Sequence, residues 1–297
     1  MRTPATEYLI RQRVTALGRA LPAATKGDVT SLHQARVATR RLRAALPLVA
    51  PGRKAEKLAR SVRELTQALG PVRELDVTLL ILDGFEDSGG PRPAIQRLRA
   101  AIGEERRQLH VELQRLLEGF DLGRLRKRAL SAAREQEGKT HQRVRDPKRA
   151  AKARMRARQH AQQLALSIEN AAGLYLPDRL HEVRIAVKKL RYTLELEQSV
   201  TASRATARLR TLKNAQDLLG RMHDLEVLIA RIRDIQSSPG ASTLKVSADL
   251  DRLVRRLENE CRQLHGHYMA SRKDLLSLCN RLMAHRERGE HTRTSAA

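Results

Sequence analysis

His33, Arg36, Arg40 and Arg43 follow one another at spacings of three, four and three residues. On a helix that advances about 100° per residue, all four side chains fall within a sector of about 80°. A guanidinium presents a planar fork of N–H donors that fits phosphate oxygens in pairs, and an imidazole N–H donates to the same oxygens. The chemistry this pattern supports is capture of an anion, phosphate above all. The pattern recurs 148 residues later as His181, Arg184, Lys188 and Arg191, within a segment that repeats as a whole. Leu32 to Leu46 reads LHQARVATRRLRAAL and Leu180 to Leu194 reads LHEVRIAVKKLRYTL, with 7 of 15 positions identical. Arg41 and Lys189 extend the basic character toward the flank of each stripe.

A cationic stripe is most often only a solvated helix face. Three features weigh against that here: the segment occurs twice, it favours arginine, and the stripe residues themselves include no acid to form i, i+4 pairs. Basic residues follow in the next helical segment of each copy, with Arg60 and Arg63 in the first and Arg210 and Lys213 in the second. A second motif reads LGPVRELDV from Leu69 and LGRMHDLEV from Leu219. Its carboxylates, Glu74 with Asp76 and Asp224 with Glu226, lie two residues apart and so about 200° apart on a helix, too far round to share one ion. They are expected to pair with and orient basic groups. Neither stripe histidine has a second histidine at i+4, and there is no phosphate-binding glycine loop and no Ser-His-Asp arrangement with supporting context. No catalytic residue, metal ligand or cofactor is therefore expected.

These side chains need helices to position them. Ala, Leu, Arg, Glu and Gln dominate at helical periods, and alternating β-branched runs are missing. Opposite the first stripe lie Ala35, Ala38, Leu42 and Leu46, and opposite the second Val183, Ala186, Leu190 and Leu194, so each repeated helix should bury one face in a bundle core. The periodicity predicts helices over 5–21, 29–47, 53–69, 72–84, 93–118 and 121–136. The same order returns over 148–173, 178–197, 202–219, 222–235, 243–270 and 271–287. Pro47 and Pro51 are expected to end the first repeated helix, and Pro177 to open the second. Two domains follow, 1–138 and 139–287, with 288–297 as a flexible polar tail.

Composition narrows the partner. The 297 residues carry a formal net charge of +25, which calls for an anion. With four Tyr, two Phe and no Trp, the chain has few platforms on which bases could stack, so phosphate is better served than bases. The two cysteines, Cys261 and Cys279, suit a reducing compartment. No secretory signal and no apolar run of bilayer length is seen, so a cytoplasmic protein without membrane attachment is expected.

At its paired motifs the chain resembles the CHAD domain family, named for a conserved histidine and α-helical structure. The resemblance covers roughly residues 5–285. It implies an all-α fold of two similar helical bundles, related by pseudo-twofold symmetry about a central basic groove or cavity. It also implies non-enzymatic binding of inorganic polyphosphate there, in some members at polyphosphate granules. Carried onto this chain, the basic positions are His33, Arg36, Arg40, Arg41 and Arg43, then His181, Arg184, Lys188, Lys189 and Arg191. Arg60, Arg63, Arg210 and Lys213 match a looser part of the pattern. Where the family shows arginine before the second motif's acid, the second copy has His223. Three rivals differ in what they require. A nucleic-acid binder recognising the phosphate backbone should prefer duplex over polyphosphate; a phosphohydrolase needs clustered carboxylates and a divalent metal; a granule scaffold would use the polymer only as an anchor.

Overall fold

The computed structural model describes residues 5–49, 53–138, 147–201, 206–237 and 244–284, and all of its regular structure is helical. In chain order the helices are α1 (Ala5–Thr25), α2 (Val29–Val49), α3 (Arg53–Ala68), α4 (Gly70–Asp87), α5 (Arg92–Glu118) and α6 (Leu122–Gly138). Then come α7 (Pro147–Asn170), α8 (Pro177–Thr201), α9 (Thr206–Ser237) and α10 (Leu244–Ala284). Two compact units result: Met1–Asp146 with Val227–Leu257, and Pro147–Glu226 with Glu258–Ala297.

In the first unit α1 packs along α2, α2 along α3, α4 along α5, and α6 against α1 to α3. The turn into α2 is made by Gly27, whose φ of +91° only glycine adopts without strain. Asp28 then caps the helix, its carboxylate accepting the Ser31 backbone N–H at 2.7 Å. Leu32, Ala35, Ala38, Leu42, Ala45 and Leu46 are buried, which is the apolar face the periodicity predicts. In the second unit α8 lies along α7. Leu180, Val183, Ala186, Val187, Leu190 and Leu194 of α8 join Leu212, Leu219 and Met222 of α9 and Tyr268, Leu275 and Leu278 of α10 in one core. Pro177 opens α8 as expected, where its missing N–H costs nothing.

The two copies differ where helix breakers differ. In the first, the chain turns at Leu69 between α3 and α4, with Pro71 in the first turn of α4. In the second, Arg221 stands where Pro71 does, and α9 runs through Gly220 as one helix instead of the two expected over 202–219 and 222–235. An interior glycine costs a helix only about 1 kcal/mol, too little to end it. Likewise Gly119 closes α5, and Asp121 caps α6 by accepting the Arg124 N–H at 2.7 Å. No glycine or proline lies between Tyr268 and Ala284, and α10 is one helix where a break near 270 is expected.

Because α9 and α10 are continuous, the compact units do not follow the repeat: 227–257 groups with the first unit, not with the 139–287 half in which the repeat places it. Pro47 does not end α2, which continues to Val49, since a proline in the last turn forfeits a single backbone bond. Pro51, the Ser237–Gly240 loop beyond Ser237, the 139–140 junction and the 288–297 tail lie outside the described residues.

Candidate anion-binding site

The first stripe lies on the face of α2 opposite its buried residues. His33 and Arg43 are exposed, and Arg36 and Arg40 are half-buried. Backbone carbonyls orient the two half-buried arginines: Arg36 donates to Thr66 O at 3.4 Å, and Arg40 Nε to Arg36 O at 3.3 Å. A Cβ on Gly70 would come within 3.0 Å of Arg36 Nη1, so the glycine of the second motif leaves the space this guanidinium fills. His33 is held below the ordinary imidazole pKa by partial burial and by the charges of Arg73, Arg40 and Arg36. Arg73 belongs to the second motif, on α4, and was not among the residues expected at the site. The two sequence motifs thus meet at His33.

The same meeting occurs in the second unit. His181 Nδ1 lies 3.3 Å from His223 Nδ1, with the ring centres 4.7 Å apart. His223 occupies the motif position of Arg73, so in each copy this residue of the second motif acts on the stripe histidine, Arg73 through its charge and His223 by contact. A hydrogen bond between two imidazoles needs at least one of them neutral. Burial, then Arg184, His181 and Lys188, push His223 down to about 4. Burial and the same Arg184 and Lys188 lower His181, opposed by Asp178 and Glu182.

The second stripe is less purely cationic than its sequence suggests. Arg191 pairs with Glu195 at 3.2 Å, one turn on, and Arg184 lies 3.9 Å from Asp224. In the first copy the position of Glu195 is Pro47, which leaves that stripe without this acid. Lys188 is half-buried, and its charge is felt at both histidines.

The remaining expected residues sit elsewhere. Arg60 and Arg63 are exposed on α3, opposite its buried Leu58, Val62 and Leu65. Arg210 is exposed on α9, and Lys213 forms a solvated pair with Asp217 at 2.9 Å. Arg41 turns from the stripe toward α1, into a cleft of about 610 Å³ that it shares with Arg13, Arg19 and His33. Its counterpart Lys189 is exposed, and its charge reaches His160 on α7, whose Nδ1 lies 2.8 Å from the Thr193 hydroxyl.

The motif carboxylates are engaged as orienting groups. Asp76, with no exposed side-chain surface, accepts from Arg106 Nε at 2.6 Å, and Arg106 also donates to Gly27 O at 3.0 Å. That pair locks α4 and α5 to the turn that starts α2. Glu74 lies 3.5 Å from Arg231. Glu226 instead accepts from the Tyr175 hydroxyl at 2.6 Å, and burial raises its pKa. Among the described residues no group of three or more His, Cys, Asp or Glu side chains could hold a metal ion. No described helix is long and apolar enough to cross a membrane.

An all-α chain in which one basic helix face with its histidine occurs twice defines a class of duplicated helical domains. The CHAD domain model matches residues 8–233, and the chain belongs to the CHAD domain family. Its fold is similar to the crystal structure of the CHAD domain from the plant Ricinus communis, at a TM-score of 0.61 and 23% identity over 94% of this chain and 91% of that one. It is also similar to PptA from Streptomyces chartreusis, at a TM-score of 0.65 and 15% identity over 91% of this chain and 99% of that one. No curated protein sequence matches the chain significantly.

Proposed function

We propose that this protein binds inorganic polyphosphate without turning it over, along the stripe of α2 and the stripe of α8. The carrying observation is that each copy gathers cations around its stripe histidine: Arg36 and Arg40 of α2 with Arg73 of α4 at His33, and Arg184 and Lys188 of α8 at His181, where α9 contributes His223 instead of a cation. Successive phosphates of a linear polymer suit successive guanidiniums along a helix, each forming paired charge-assisted bonds. The engaged carboxylates support a binding role, since they orient Arg106 and Tyr175. Binding of this kind could also hold the protein at polyphosphate granules.

The test is retention on a long-chain polyphosphate matrix. Wild-type protein is expected to be retained and to elute as salt rises, because displaced counterions drive such binding. Arg36→Glu and Arg184→Glu should each weaken retention, and the double variant should lose most of it while still melting cooperatively. Retention of the double variant at wild-type strength would overturn the site. Preference for duplex DNA over polyphosphate at equal phosphate concentration would overturn the ligand. Release of orthophosphate from the polymer would overturn the non-enzymatic reading.

A further inference from the structure

The cleft between α1 and α2 is not part of the α2 stripe, although His33 borders both. Its polar lining consists of Gln12, Arg13 and Arg19 from α1, and His33, Gln34 and Arg41 from α2, over a floor of Val37 and Ala38. These side chains supply three guanidiniums, two carboxamides and an imidazole, with no carboxylate and no Phe, Tyr or Trp among the lining residues. Such a lining offers donors in excess to a phosphate-dense anion. Arg13 and Arg41 are half-buried, so part of their charge is screened less by water than on an open helix face.

The second unit does not rebuild this cleft. The buried residues Ile10, Val14, Leu17, Leu21 and Ala24 of α1 recur 147 positions on as Ala157, Ala161, Leu164 and Ile168 of α7 and Ala171 just after it. In that register His160 replaces Arg13 and Leu166 replaces Arg19, while Lys189 replaces Arg41. His160 is engaged with Thr193, and Leu166 is exposed. Three guanidiniums in the first copy thus become one ammonium and one imidazole in the second.

We propose that the α1–α2 cleft is a separate site for a short linear oligophosphate of about three phosphates, one for each guanidinium, present in the first repeat and lost from the second. The two repeats are then unequal in function: both carry a stripe, and one carries a pocket. The site does not rest on long-polymer binding by the stripes, because Arg13 and Arg19 lie outside them.

The experiment is calorimetric titration of the full chain with tripolyphosphate. Three variants are compared with wild type: Arg13→Gln/Arg19→Gln, Arg19→Gln alone, and a control of equal charge loss on exposed α6 residues, Arg124→Gln/Arg128→Gln. The wild type should show one tight site for tripolyphosphate, above any weaker binding by the stripes. The cleft double variant should lose at least about tenfold in affinity, the scale of one lost charge-assisted contact. The control should lose far less, and the long-chain matrix should still retain the cleft variant. Arg19→Gln guards against misfolding, since Arg19 is exposed, and it should weaken binding on its own. Equal losses in the cleft variant and the control would show a diffuse charge effect and overturn the proposal, as would wild-type affinity in Arg19→Gln. Should wild type bind tripolyphosphate in this way yet fail to hold the long polymer, the stripe reading falls and the cleft stands.

Discussion

His223 shows most directly how neighbours set a side chain's chemistry. An imidazole held at about 4 in the fold, against 6.5 as the ordinary value, is neutral at pH 7. The unfolded chain takes up the proton first, so this contribution to stability is complete above about pH 6.5 and declines as pH falls toward 4. His33 and His181 are displaced in the same direction. The melting midpoint of the free protein should therefore drop between pH 7 and pH 4.5, and His223→Asn should flatten that drop. A bound polyanion reverses the local balance by neutralising Arg184 and Lys188, which makes protonation easier. Polyphosphate affinity should then rise as pH falls from 7.5 to 5.5, with proton uptake measurable in buffers of different ionisation enthalpy. An affinity independent of pH would mean that the histidines do not face the ligand.

Between elements, two ion pairs of similar length should differ widely in what they contribute. Asp76 has no exposed side-chain surface where it meets Arg106 at 2.6 Å. Arg221 and Glu260 meet at 2.7 Å with 38% and 30% of their side chains exposed. Removing one partner from a buried pair leaves an uncompensated charge and costs about 3–5 kcal/mol. Breaking an exposed pair costs about 1 kcal/mol at most. Urea denaturation should accordingly find Arg106→Ala strongly destabilised and Arg221→Ala nearly unchanged. Because Arg106 also holds the Gly27 carbonyl, its loss should loosen the start of α2 and with it the first stripe. Arg106→Ala should lose polyphosphate retention at temperatures where wild type is still fully folded.

At the scale of the whole molecule, the net charge of +25 makes the free chain repel itself. Salt should raise the melting midpoint of the free protein by screening that repulsion. Long-chain polyphosphate at 100 times its Kd should raise the midpoint too, adding about 2.7 kcal/mol. Salt must then act in opposite directions on the two states, steadying the free protein while erasing the gain from the ligand. A gain from polyphosphate that survived high salt would point to contacts other than phosphate with cation.

The all-helical fold, the buried faces of α2 and α8 and the two basic stripes opposite them were legible in the sequence alone. Each follows from the period at which apolar and cationic residues recur within one segment, which is a local property. Three other features arose only when helices packed. Arg73 and His223 join the stripe histidines from another helix, Arg13 and Arg19 meet Arg41 across the α1–α2 cleft, and Asp76 reaches Arg106 instead of the stripe. Helical period states which residues share a face, but not which face of a neighbour will meet it. The continuity of α9 and α10 belongs with the local properties. The loss of Pro71, Gly119 and Asp121 from the second copy was visible in the sequence, and the glycine that remains at 220 costs the helix too little to end it.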